Sequence, residues 1–133
     1  LLTAYALRST MWVVEKASEF AASTGKELMV VTSYMSSDIV AACHGRPRFD
    51  QPFVDYLADK SVLFVDSLAK HVEDFVQFRC TPEEYAARYY IGHYAPTGNH
   101  FFAFSIKDEV VAWLDPKPPA YRFDTPPVPS EFA

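Results

Sequence analysis

Residues 89–104, YYIGHYAPTGNHFFAF, hold two histidines, two glycines, a proline and six aromatics. His93 is the side chain there best suited to proton transfer. It follows Gly92 and precedes Pro96-Thr97-Gly98, so it falls on a short loop between two helical patterns, from which an imidazole reaches a cleft. A neutral imidazole so placed is the usual general base for a serine hydroxyl. The competing reading is a histidine that only hydrogen-bonds where one helix gives way to the next.

The other chemistry-bearing residues are more scattered. Ser33 and Tyr34 end the first apolar run, on the side where α/β proteins bind ligands, and His44 lies on the crossover that follows; all three are possible substrate contacts. Asp66, after the second apolar run, reads as a helix cap, and His71 as a solvated helical residue. His100, in the first turns of the last helix, reads as packing or capping. Neither Ser33 nor Ser67 sits in a Gly-x-Ser-x-Gly elbow, so neither reads as a nucleophile. Cys43 and Cys80 lack partners at metal-ligand spacing and read as structural thiols; no metal and no cofactor is expected.

Stepping along the chain, 133 residues, half of them hydrophobic, suffice for one core. A net charge of −5 with scattered basic residues gives no footprint for a phosphate backbone, so nucleic acid is not an expected partner. No apolar run is long enough for a membrane span. The chain reads as soluble, its compartment open, with an extracytoplasmic setting envisaged for the full-length protein.

Leu2, Tyr5, Ala6, Val13, Ala17, Phe20 and Ala21 fall at helical spacing over residues 2–22, with Gly25 as the stop. ELMVVTS (27–33) and SVLFVDS, its strand at 61–66, are short β-branched apolar runs typical of buried parallel strands. Between them lie a short helix that Ser37 is placed to cap and a better one with Asp50 near its N-cap and Pro52 in its first turn. Helices follow over 67–76, from Thr81-Pro82 with a capping box to Glu84, and from about 97 to 114, where Phe102, Ile106, Val110 and Trp113 share a face and Asp115-Pro116 ends the pattern. The remaining residues, 116–133, hold most of the chain's ten prolines and read as an extended tail. Two parallel strands are few for a sheet, so either a helical cluster surrounds a minimal sheet or, the favoured expectation, the chain is one part of a larger doubly wound α/β domain, spanning residues 1–115 here.

At this point the residues resemble a known family. GHYAPTGNHFFAFSIKDEVVAWL is similar to the C-terminal block of the SGNH, or GDSL-type, hydrolases, and the order of helix, ELMVV, crossover and VLFVDSL before it agrees. The resemblance implies a three-layer α/β/α sandwich (flavodoxin-like), of which this chain is the C-terminal part, and hydrolysis of esters or removal of acyl groups. It carries over one catalytic residue, His93, as general base. The Gly-Asp-Ser and Gly-x-Asn blocks of the family are absent, and Tyr90 stands three before the histidine, where the family has an Asp. A phenol is neutral near pH 7 and lacks the charge stabilisation of a carboxylate. Tyr90 itself, Glu84 or its neighbour Glu83, or a backbone carbonyl are the possible orienting groups.

The expectation is therefore a serine esterase or acyl hydrolase acting on a small-molecule or carbohydrate ester, its nucleophile supplied by a missing N-terminal segment or another chain. The alternatives are a non-catalytic α/β interaction or carbohydrate-binding module that has lost the triad, and a self-contained small domain of unrelated function.

Overall fold

The computed structural model describes residues 2–114; the expectations for Asp115-Pro116 and for the tail lie outside the described residues. Six helices surround a small parallel sheet: α1 (Leu2–Ser23), β1 (Met29–Val31), α2 (Ser36–Cys43), α3 (Gln51–Asp59), β2 (Leu63–Val65), α4 (Ser67–Phe75), α5 (Pro82–Tyr89) and α6 (Pro96–Leu114). The protein is α/β, mostly helical, with two strands where each run of apolar residues foretold one.

The strands are shorter than the apolar runs because only three residues of each pair, Met29 with Leu63, Val30 with Phe64 and Val31 with Val65. Beyond them the ladder is finished by Thr32, whose N–H donates to the Val65 carbonyl at 3.1 Å. The Thr32 hydroxyl donates to the same carbonyl and accepts from the Ser67 N–H at 3.2 Å, tying the carboxyl ends of both strands to the start of α4. Thr32 bonds towards β2, so the alternation of strand backbone directs Val31 to the other edge, which no strand among the described residues occupies.

Two apolar clusters hold the helices. Val14 of α1 packs with Phe53 and Leu57 of α3, joined by Leu7, Met11, Val30 and Phe64. Tyr34, Ile39, Leu68 and Tyr85 form the second, binding α2, α4 and α5. Ile39, Leu57 and Tyr85 are fully buried, each contributing on the order of 2 kcal/mol through apolar area removed from water.

α1 buries a different stripe from the expected one. Leu7, Met11, Val14, Ser18 and Ala21 face inward, while Leu2, Tyr5, Val13 and Phe20 are exposed. Apolar residues lie nearly all round this helix, so periodicity alone does not choose between faces. Its end follows the expectation: Gly25 takes φ of +64°, and the Lys26 N–H reaches back to the Ala21 carbonyl at 2.8 Å.

The caps divide similarly. Thr81 and Glu84 form the capping box on α5, and Asp66 accepts from the N–H groups of Leu68 and Ala69 on α4. Ser37 lies inside α2 instead of capping it, and Asp38 reaches back to the Met35 N–H at 3.2 Å. Asp50 precedes α3 but makes no side-chain cap bond, because its carboxylate is taken by Arg48 and Tyr34.

Candidate functional site

α5 ends in a tight turn that presents His93. Tyr90 and Tyr94 pair as an isolated antiparallel bridge, the Ile91 N–H donates to the His93 carbonyl at 2.8 Å, and Gly92 turns the chain with φ of +94°. The Ala95 N–H then donates to the Tyr89 carbonyl at 2.8 Å, and α6 begins at Pro96. Gly98 allows this close return: a Cβ there would run into the Tyr89 carbonyl and lie 2.5 Å from a ring carbon of Tyr94.

The His93 ring is exposed and its Nδ1 lies 2.9 Å from the Tyr94 carbonyl oxygen. A carbonyl only accepts, so Nδ1 carries a hydrogen, and in the neutral ring Nε2 keeps its lone pair. Chemically this is an imidazole held in the tautomer that takes a proton at Nε2.

Neither of the expected side chains orients it. The Tyr90 phenol donates to the carbonyl of Tyr34 at 3.1 Å, and its half-buried site pushes its pKa well above the ordinary value. Glu84 is spent on the Thr81 N–H at 2.8 Å. Glu83 pairs instead with His44, Oε1 to Nε2 at 2.9 Å, an exposed hydrogen bond that lowers the Glu83 pKa and ties the crossover loop to α5.

Ser33 and Tyr34 line an open groove of about 690 Å³ beside β1, with Leu7, Val14, Val31 and Asp50 among the other walls. Ser33 is exposed there, whereas Tyr34 is buried in a charged lock. Its hydroxyl donates to Asp50 Oδ2 at 2.6 Å and accepts from Arg48 at 2.7 Å; Arg48 also bonds Asp50 Oδ1 at 2.8 Å and Asp66 Oδ2 at 2.5 Å. Burial alone would raise the Asp50 carboxyl, but the hydrogen bonds from Arg48 and Tyr34 outweigh it and hold it below its ordinary value. The Tyr34 phenol is pushed up, by burial first and by Asp50 second. Tyr34 therefore braces the end of β1, and Ser33 is the expected contact residue left open to a ligand.

His71, expected to be solvated, is fully buried. Tyr85 and Tyr89 both donate to Asp74 Oδ2, at 2.9 and 2.8 Å. With its only hydrogen spent, the Tyr85 oxygen accepts from His71 Nδ1 at 3.0 Å, leaving His71 Nε2 to accept from the Tyr94 hydroxyl at 3.1 Å. Phe101 stacks on the ring at 4.2 Å between centroids. Burial, partly offset by Asp74, lowers the His71 pKa to about 4, so the ring is neutral. A signal was present in the sequence: His71 stands three residues after Leu68 and four before Phe75, on the helix face that packs inward.

Ser67 is also fully buried, its hydroxyl without a partner among the described residues, so no substrate reaches it. His100 is exposed, tilted against Phe104 at 5.1 Å. Cys43 and Cys80 are free thiols, and no metal-binding cluster of His, Cys, Asp or Glu forms among the described residues. No described helix is long and apolar enough to cross a membrane. Comparison with family models, curated proteins and solved structures finds no match for this chain.

Proposed function

We propose that this chain is the histidine-bearing part of a serine esterase or acyl hydrolase, with His93 as general base and the nucleophile on a segment outside these residues. The observation that carries the reading is the His93 ring itself. Nδ1 is engaged by the Tyr94 carbonyl, while Nε2 has no hydrogen-bond partner among the described residues and the residue is exposed, the arrangement needed to take a proton from an attacking hydroxyl. A backbone carbonyl orients the ring where a carboxylate would both orient it and stabilise its charged form, so a histidine–serine dyad is the matching mechanism.

The edge of β1 that no strand among the described residues occupies supports the wider architecture, a three-layer sandwich completed by further parallel strands. Small-molecule or carbohydrate esters are the substrate class, with the groove at Ser33 as the side on which they would lie.

The test is hydrolysis of a short p-nitrophenyl ester by the full-length protein and by its His93→Ala variant. A loss of about a thousandfold or more in kcat/KM is expected; equal rates would remove His93 from the chemistry. One observation favours a second reading, a non-catalytic binding module: among the described residues no carboxylate hydrogen-bonds His93, and Tyr90 is turned to Tyr34. Binding of an acylated sugar without turnover by the full-length protein would support that reading over the first.

A further inference from the structure

We infer that His71 is a positioning residue for His93, acting through Tyr94, whose side chain it anchors and whose carbonyl sets the His93 tautomer. The role rests on the reading of His93 as a general base, but the geometry that carries it stands apart from any activity. Tyr94 is joined at both ends: its hydroxyl donates to His71 Nε2 at 3.1 Å, and its carbonyl lies 2.9 Å from His93 Nδ1.

The anchor is directional. Asp74 is an acceptor for Tyr85 and Tyr89, so Tyr85 accepts from His71 Nδ1 and His71 Nε2 is fixed as the acceptor for Tyr94. Reversing any one bond leaves two donors or two acceptors face to face inside the protein. The rings add to the hold: Tyr94 packs on Tyr90 at 4.5 Å and on Phe102 at 5.7 Å between centroids, and His71 is stacked under Phe101. Tyr94 is thereby restrained by α4 through His71 and by α6 through Phe102, and its carbonyl is delivered to His93 from a fixed point.

This restraint matters because His93 is exposed. A free imidazole in water prefers the Nε2–H tautomer, which has no lone pair at Nε2. A fixed acceptor at Nδ1 reverses that preference. The path from Asp74 through Tyr85, His71 and Tyr94 serves the orienting function without placing a carboxylate beside His93, and so accounts for Tyr90 being used elsewhere.

The experiment reads the His93 ring by ¹⁵N NMR at pH 7.5 in the 133-residue chain, wild type against Tyr94→Phe, His71→Ala and His71→Gln, with circular dichroism as the check on folding. In the wild type the Nδ1–H form is expected to make up about four-fifths or more of neutral His93, falling to about half or less in Tyr94→Phe, which keeps the ring and loses only the anchor. His71→Gln, whose carboxamide supplies one acceptor and a donor, should restore the wild-type balance that His71→Ala loses. A His93 tautomer unchanged in Tyr94→Phe, or already that of free imidazole in the wild type, overturns the inference. If His71→Ala does not fold, Tyr94→Phe decides alone. Should the tautomer respond as expected while the full-length protein hydrolyses no ester, the positioning role stands and the hydrolase reading falls.

Discussion

The hydroxyl of Tyr90 donates to the backbone carbonyl of Tyr34 across 3.1 Å, linking the turn that bears His93 to the carboxyl end of β1, 56 residues earlier in the chain. Tyr34 is itself held by Asp50 and Arg48, so the bond ties the histidine turn to that charged cluster. Tyr90→Phe removes that link while preserving the ring. A loss of about 1 kcal/mol is expected in urea unfolding, the ordinary net worth of one such hydrogen bond.

Arg48 neutralises two carboxylates, and Asp50 is only 4% exposed. Arg48→Met strands the buried Asp50 charge, and breaking a pair of this kind costs about 3–5 kcal/mol. Equilibrium denaturation at pH 7 should show a loss of that order. A change under 1 kcal/mol would mean that water already screens the cluster.

The buried His71 makes stability depend on pH. Its folded pKa, about 4, lies below the unfolded value near 6.5, so the folded state favours the neutral ring. The stabilisation is complete above about pH 6.5 and is lost as pH falls towards 4, because there the unfolded chain binds a proton that the folded chain excludes. The loss should approach about 1.4 kcal/mol per pH unit across that window, up to roughly 3 kcal/mol in all. In His71→Gln this component of the slope should vanish, which urea midpoints measured from pH 7 to pH 4 will show.

Replacing Gly98 by Ala tests the approach of α6 to the histidine turn. In an unhindered helix the change would stabilise by about 1 kcal/mol. Here the new Cβ meets the Tyr89 carbonyl and the Tyr94 ring, and a loss of about 1–3 kcal/mol is expected from the crowding. The sign of the change in Tm distinguishes the two.

His93→Ala should leave stability within about 0.5 kcal/mol of wild type, since the ring is exposed and its one bond is to a neighbouring carbonyl. A larger loss on thermal unfolding would assign His93 a structural role and weaken its reading as a base.

The local signals were legible in sequence where one residue type has one use. Thr81-Pro82 with Glu84, Asp66 before α4, and Gly25 after α1 all mark helix ends as their chemistry requires. Both strands were legible as β-branched runs, though their lengths were not, since pairing depends on the partner strand. Three things escaped. Asp50 has the type and place of a local cap, but Arg48, two residues before it, and Tyr34, sixteen before it, take the same oxygens. The inward face of α1 was hidden by apolar residues on every side. His71 was read by its polarity, when its place beside Leu68 and Phe75 and the surplus of tyrosines nearby were the better guides.

One contact joins two widely separated parts of the sequence. The Trp113 indole donates to Glu27 at 2.6 Å, joining the last turn of α6 to the residues before β1 across 86 positions of sequence. α2, α4 and α5 close on one another over shorter loops, so their cluster forms without this long closure, while the α6 anchor is the later and costlier step in folding. The anchor is also exposed, and is expected to open first on warming. With the exposed Trp12 replaced by Phe, Trp113 becomes an optical reporter of this anchor: its emission should change before the helical signal does.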